Sequence, residues 1–441
     1  MKAAQVTRAV ATFAVAVAAA LSIPACGGDA ESEPNLPPAR PVESAGCSSV
    51  TYGGKERPDL IIAASTVLQG QFVDHGVQIA QALKLVLAER NWRAGDYGVG
   101  LQLCDETTAK GDESDPAKCR RNARAFARNR SVIAVAGPWS SSCALEMLPI
   151  LNRAPDGPLA AVSGSTTYLG LTRPGPGVGP AEPARYFPTG RRSFIRVIPA
   201  DDAQSAAGAL YVKDAGARTA FVLNDNQPYG VGVAEAFRVA AEQSGMRVVG
   251  TAAWDAKARD YSALARDIRD ARPDAVYLGG YVSNNGARLI EDLRKALGPE
   301  TQIVGPDGFA TPGLIVESAG SAAEGFTWTI AALPNDELPP SGREFTAEFE
   351  RRFSSRPCCF SVHAAQTAAI ILDAIAGSDG SRGEVTENLF GARVEDGYLG
   401  DLEIDRYGDT TQTTTGVYRI ENGRLRFETA ITPPAGLLAR E

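Results

Sequence analysis

From Asp59 onward the chain alternates two patterns of apolar and polar positions. A short apolar run rich in β-branched residues leads to a polar or glycine turn, and then to a longer segment with helical periodicity. Asp59 to Ala64 reads as the first strand. In the helix behind it Ile79, Leu83, Val86 and Leu87 form one apolar stripe for docking on a sheet. Further strands are expected at Gly100 to Leu103, Val132 to Ala136, Leu159 to Val162, Thr219 to Leu223, Arg247 to Gly250, Ala275 to Leu278 and Gln302 to Val304, with helices in most intervals. This alternation predicts an α/β fold of parallel sheets flanked by helices, with ligands beyond the carboxyl ends of the strands. The pattern breaks between Leu171 and Arg192, a stretch dense in Pro and Gly that predicts an ordered surface loop. Two runs of strand and helix units flank this loop, and 441 residues exceed one usual core, so two lobes are expected.

Composition fits a folded chain, with 44% apolar and 22% charged residues. A net charge of -8 without a basic cluster argues against a nucleic-acid partner. The N-terminus reads as a targeting segment: Lys2 and Arg8 precede an apolar run from Ala9 to Leu21 that is short for a membrane span. Ile23, Pro24, Ala25 and Cys26 resemble a bacterial lipobox, so residues 1–26 are expected to be a lipoprotein signal peptide with Cys26 the lipidated residue. Residues 27–57 are rich in Gly, Glu, Pro and Ser and read as a flexible tether. An exported chain oxidises its cysteines, and without CxxC spacing the remaining six point to disulfides rather than to a metal. Cys104, ending a strand, and Cys119, opening a helix, form the first-choice pair; a vicinal Cys358 to Cys359 bridge is an alternative.

Enzyme chemistry finds little support in the residues. The two histidines, His75 and His363, lie far apart in sequence, and HExxH, Walker A and GxSxG motifs are all missing. No metal set or cofactor motif is read. Binding chemistry is better represented. In "AGPWSSSCA", Ser140, Ser141 and Ser142 stand after a strand and open a helix, where backbone N–H groups and the helix dipole favour a carboxylate, although one of these serines can equally serve as a plain N-cap. In "VSGSTT", Ser163, Ser165, Thr166 and Thr167 also follow a strand. Tyr229 after "NDNQP", Tyr281 after "YLGG" and Asp307 in "VGPDGF" occupy corresponding places in the second run.

The ordered stretches "LQGQFVDHGVQIAQALKLVLAE", "DPAKCRRNARAFARNRSVIAVAGPWSSS", "NDNQPYGVGVAEAF", "DYSALARDIRDARPDAVYLGGY", "VGPDGF", "AAEGF" and "SVHAAQTAAIILDAI" resemble the leucine/isoleucine/valine-binding family of type I periplasmic binding proteins. The resemblance implies two lobes joined by three crossings near Val197, Ala331 and Gly408, with an N-terminal lobe from 58–197 and 332–408 and a C-terminal lobe from 198–331 and 409–441. It implies that Ser141, Ser165 and Thr167, with backbone N–H groups, hold a ligand carboxylate. By the same resemblance Asp307 takes the ligand ammonium, Tyr229 and Tyr281 close over it, and Gln69, Trp139 and Ser140 line the pocket. Asp307 stands where leucine-type receptors commonly have Glu, and Trp139 where a smaller aliphatic residue is usual, so an altered side-chain pocket is expected. The implied partners are a small amino-acid-like ligand, an ABC-transporter permease and, through the lipid anchor, the outer face of the cytoplasmic membrane or the periplasm. A ligand-sensing receptor signalling to a membrane partner is the alternative.

Overall fold

The first strand, β1 (Leu60–Thr66), is buried along its whole length, as its unbroken apolar sequence demands. The computed structural model describes residues 36–109, 114–358 and 360–439; the expected signal segment with Cys26, and Cys359, lie outside the described residues. Strands β2 (Arg93–Ala94), β3 (Tyr97–Asp105), β4 (Val132–Ala136), β5 (Ala161–Ser163) and β6 (Phe194–Arg196) join β1 in one sheet of order β2-β3-β1-β4-β5-β6. Its crossovers include α1 (Val73–Glu89), α2 (Pro116–Arg128) and α3 (Ser141–Leu151). Asp115 caps α2 through the Ala117 and Lys118 amides, with Pro116 in the first turn.

After α4 (Asp201–Asp214) a second sheet begins, built from β7 (Thr219–Asn224), β8 (Arg247–Ala253), β9 (Ala275–Gly279), β10 (Gln302–Gly305) and β11 (Thr327–Ile330). Helices α5 (Pro228–Gln243), α6 (Ser262–Ala271), α7 (Ala287–Leu297) and α8 (Pro312–Ala319) connect these strands. The chain then returns to the first sheet with α9 (Pro340–Phe353), α10 (Ser361–Ala376) and α11 (Arg382–Leu389), α10 packing against α1, β4 and β5. A two-stranded ribbon, β12 (Arg393–Val394) and β13 (Leu402–Glu403), precedes β14 (Thr415–Glu421) and β15 (Arg424–Ile431), which complete the second sheet in the order β15-β14-β11-β10-β9-β7-β8. The α/β class is as expected, and every strand anticipated from the sequence is present.

Three expectations are corrected. The sheets are mixed: β2 pairs antiparallel with β3, and β14 and β15 form an antiparallel hairpin on β11. The hairpin turns at Asn422 and Gly423, both at positive φ, the combination that two-residue hairpin loops require. The disulfides are Cys47–Cys104 and Cys119–Cys143, not Cys104–Cys119. Cys47 lies opposite Cys104 because residues 47–51 run antiparallel along β3, whereas Cys119 on α2 faces Cys143 on α3. For the same reason the stretch 36–57 is no loose tether: Val42 donates to the Gln102 side chain, Thr51 exchanges backbone bonds with Leu101, and Ala39 and Val42 are buried. The Pro- and Gly-rich loop is ordered, and Gly177 within it packs on Gly232 of α5, too close for a Cβ.

The chain passes between the sheets three times, between β6 and α4, between β11 and α9, and between β13 and β14. Arg196 on the first passage and Asp409 on the third are joined by a buried ion pair of 2.7 Å. Arg173 reaches Asp409 at 2.6 Å and also pairs with Asp405. Burial pushes the Asp409 carboxyl up, but Arg196 and Arg173 outweigh it and hold the group below its usual range.

Candidate functional site

Eight of the nine residues expected at a site meet around one cavity of about 30 Å³, among them Ser141, Ser165 and Thr167 from the first sheet's loops, and Tyr229, Tyr281 and Asp307 from the second's. Trp139 and Ser140 line it too, with Phe72, His75, Gly308 and Phe360. Gln69 is the exception. Its side chain donates to Asp105, which also binds Lys118 at 2.6 Å, and this partnership holds it away from the cavity.

On the first-sheet side the loop after β4 is brought in by Gly137, at φ +119°, where a Cβ would fall 2.3 Å from the Ser65 carbonyl oxygen. Ser140 then caps α3, its hydroxyl accepting from the Cys143 amide at 3.1 Å while also meeting the Ser114 hydroxyl. The plain capping role therefore describes its side chain. Ser141 Oγ accepts from the Tyr168 amide at 3.2 Å, and Ser165 donates to the Trp139 carbonyl at 2.9 Å. Thr167 is buried beside Asp201, its hydroxyl without a well-formed hydrogen bond.

Glu106 organises this loop and was not singled out in the sequence. Fully buried at the end of β3, its carboxylate accepts from the Trp139 and Ser140 amides at 3.1 and 3.0 Å and from the Ser65 and Ser114 hydroxyls at 2.8 and 3.0 Å. Burial raises its pKa, and these donors oppose the rise. Two N–H groups at the mouth of α3 are thus already spent on an internal acid.

On the second-sheet side Asp307 opens a short turn after β10. Its Oδ1 accepts from the Tyr229 hydroxyl and, at 2.9 Å, from the Gln204 side chain. The Tyr229 oxygen accepts from the Gly308 amide at 3.1 Å, and Gly308 must be glycine here because a Cβ would lie 2.3 Å from the Gly280 carbonyl oxygen. Gln204 also donates to Asp201 Oδ1 at 2.9 Å, so one amide spans two carboxylates. Burial first, and then the Asp307 charge, lift the Asp201 pKa from 3.8 to about 7; burial likewise raises Asp307 and Tyr229. The site is therefore short of positive charge. Asp201 and Gln204, on the first turn of α4, are the residues that sequence reasoning missed.

Aromatic rings bridge the two halves. Tyr229 and Tyr281 lie 4.6 Å apart between centroids, Tyr281 is 6.4 Å from Phe72, and Phe72 is 5.3 Å from Trp139. Asp225 fixes the Tyr281 loop by accepting from the Tyr281 amide and from Asn284. Among the described residues no cluster of His, Cys, Asp and Glu suits a metal ion, and no helix is long and apolar enough to cross a membrane.

The family model described as "Periplasmic binding protein" matches residues 61–424. The Leu/Ile/Val-binding protein BraC3 of Rhizobium johnstonii is 24% identical over 385 residues, covering 86% of this chain and 96% of that protein. Among solved structures, a leucine binding protein LivK from Thermotoga maritima superposes with a TM-score of 0.71 at 23% identity, covering 85% of this chain and 99% of the other. A solute binding protein of an ABC transporter from R. palustris, in complex with 4-hydroxybenzoate, gives 0.69 at 16% identity, covering 85% and 98%.

Proposed function

This chain belongs to the periplasmic binding protein family, and we propose that it captures an amino acid or a close analogue between its two lobes and passes it to an ABC importer. The observation that carries this reading is the division of polar groups across the cleft. Hydroxyl-bearing Ser141, Ser165 and Thr167 line one side, and Asp307, tied to the buried Asp201 through Gln204, lines the other. A carboxylate met by hydroxyls and an ammonium met by acids make an α-amino acid the simplest molecule to join them. Two carboxylates sharing one neutral donor repel each other, and a ligand cation relieves that repulsion.

Such a ligand touches both lobes only when they are closed, so its differential affinity drives closure. The three passages, near Val197, Ala331 and Gly408, are the hinge in this reading, with lobes of 58–197 plus 332–408 and 198–331 plus 409–441. The buried Arg196 to Asp409 pair fastens two of these passages. The names of the relatives, leucine- and Leu/Ile/Val-binding proteins, favour a branched-chain or other apolar side chain. Trp139 and Phe72 are the aromatic surfaces offered to it. The role is binding without turnover, and Cys26 carries the lipid that keeps the exported protein at the membrane. Calorimetry of ligand-stripped protein against the amino acids one by one tests the reading: saturable binding of an amino acid supports it, and heat from none contradicts it.

A further inference from the structure

Past the polar cluster the space between the lobes widens. An open groove of about 850 Å³ runs from His75 towards the passages between the sheets, whereas the cavity at the cluster is about 30 Å³. The two adjoin at His75. His75 lines both, Ala310 of the groove follows the Asp307 turn, and Cys358 of the groove precedes Phe360 of the cluster.

We propose that the ligand is an amino acid with a long tail, whose head meets the Asp307 and Ser141 cluster and whose amide-bearing, largely apolar tail lies in the groove beyond His75. This rests on the amino-acid reading above and names the class of molecule. Pockets that enclose a whole drug-sized ligand run to roughly 300–1,000 Å³, and the groove falls within that range while the cluster cavity does not. The groove's second-lobe wall carries Trp328 and Tyr418, stacked with centroids 6.0 Å apart, and the first lobe contributes Val362. Polarity enters at the junction: the Nδ1 atom of His75 is buried without a hydrogen-bond partner. Phe72 and Phe360 pack on the ring at 5.7 and 5.5 Å, and burial lowers its pKa to about 4, so a neutral imidazole stands between the two spaces. Neutral imidazole offers one donor and one acceptor, which suits an amide better than an ion.

Calorimetry with leucine and with Nε-benzoyl-lysine tests this, because both carry the same head and only the second has a long amide-bearing tail. About ten extra tail atoms at no more than about 0.3 kcal/mol each predict that Nε-benzoyl-lysine binds about tenfold to 100-fold tighter. Ala347 on α9 is an exposed residue of the groove wall, and Ala347→Trp should cut that preference about tenfold by filling the groove. Thr414→Trp, from another part of the wall, reads the same ratio independently if the first variant folds poorly. Leucine binding as tightly as the longer compound, or a preference that neither variant alters, overturns the inference and leaves the amino-acid reading standing. Binding of neither compound overturns the inference, and the amino-acid reading then rests on the other amino acids titrated one by one.

Discussion

Asp201 and Asp307 share a single donor, the Gln204 side-chain amide, at 2.9 Å to each. Burial first, and then the neighbouring Asp307 charge, raise the Asp201 pKa to about 7, because two buried acids so placed cannot both ionise cheaply. A raised acid holds its proton better folded than unfolded. Its contribution to stability is therefore complete below the unfolded value of 3.8 and is lost as pH rises through about 7. A ligand ammonium reverses the preference, so binding an amino acid should expel a proton, and affinity should climb between about pH 5.5 and 7.5. Calorimetry at pH 6.5 in two buffers of different ionisation enthalpy measures the proton count. Zero release contradicts the account of this pair.

The buried Arg196–Asp409 pair makes a stability prediction. Removing one partner of a buried ion pair costs about 3–5 kcal/mol, because the other charge is left uncompensated. Asp409 keeps Arg173 when Arg196 is lost, so Arg196→Met should cost about 3 kcal/mol, the low end of that range. Urea unfolding followed by circular dichroism gives the number. A change near zero would mean that Arg173 alone satisfies Asp409.

Much of this was legible from pattern. Ser141, Thr167, Tyr229, Tyr281 and Asp307 stand one short step beyond a strand, and parallel sheets gather such positions at one edge. Asp201 and Gln204 follow the first passage between sheets and belong to a helix whose apolar pattern is ordinary, so nothing local marks them. Glu106 also escaped notice, because its four donors come from three distant segments that only the fold assembles. Gln69 was misjudged for the converse reason: it sits in the right loop, but Asp105 claims its side chain. The β14 and β15 hairpin was readable. Asn422 and Gly423 between two alternating runs are a hairpin signal.

The disulfides predict a thiol count and a cost. Cys47, Cys104, Cys119 and Cys143 should resist alkylation in the denatured, unreduced protein. Replacing Cys119 and Cys143 with alanine should lower stability by about 2–4 kcal/mol. Thermal melts of the double variant check the second figure, and reaction of these four cysteines with iodoacetamide would contradict the first.

Anchoring is tested by Cys26→Ser. The substituted protein should leave the membrane fraction when expressed in a bacterial host, because a single lost acylation site removes the anchor. Unchanged partitioning would show that another element holds it.

The most direct test of the central claim is calorimetry of wild type and Asp307→Asn with the best amino-acid ligand and with its des-amino analogue. Removing one member of a buried, hydrogen-bonded charge pair costs about 2–5 kcal/mol, which is roughly 30-fold or more in affinity. Asparagine keeps the size of Asp307 and one oxygen to accept from Tyr229 and Gln204, and it removes the charge. The account predicts a loss of at least about 30-fold for the amine-bearing ligand and little change for the des-amino analogue. Equal affinity of both proteins for the amine-bearing ligand would contradict it.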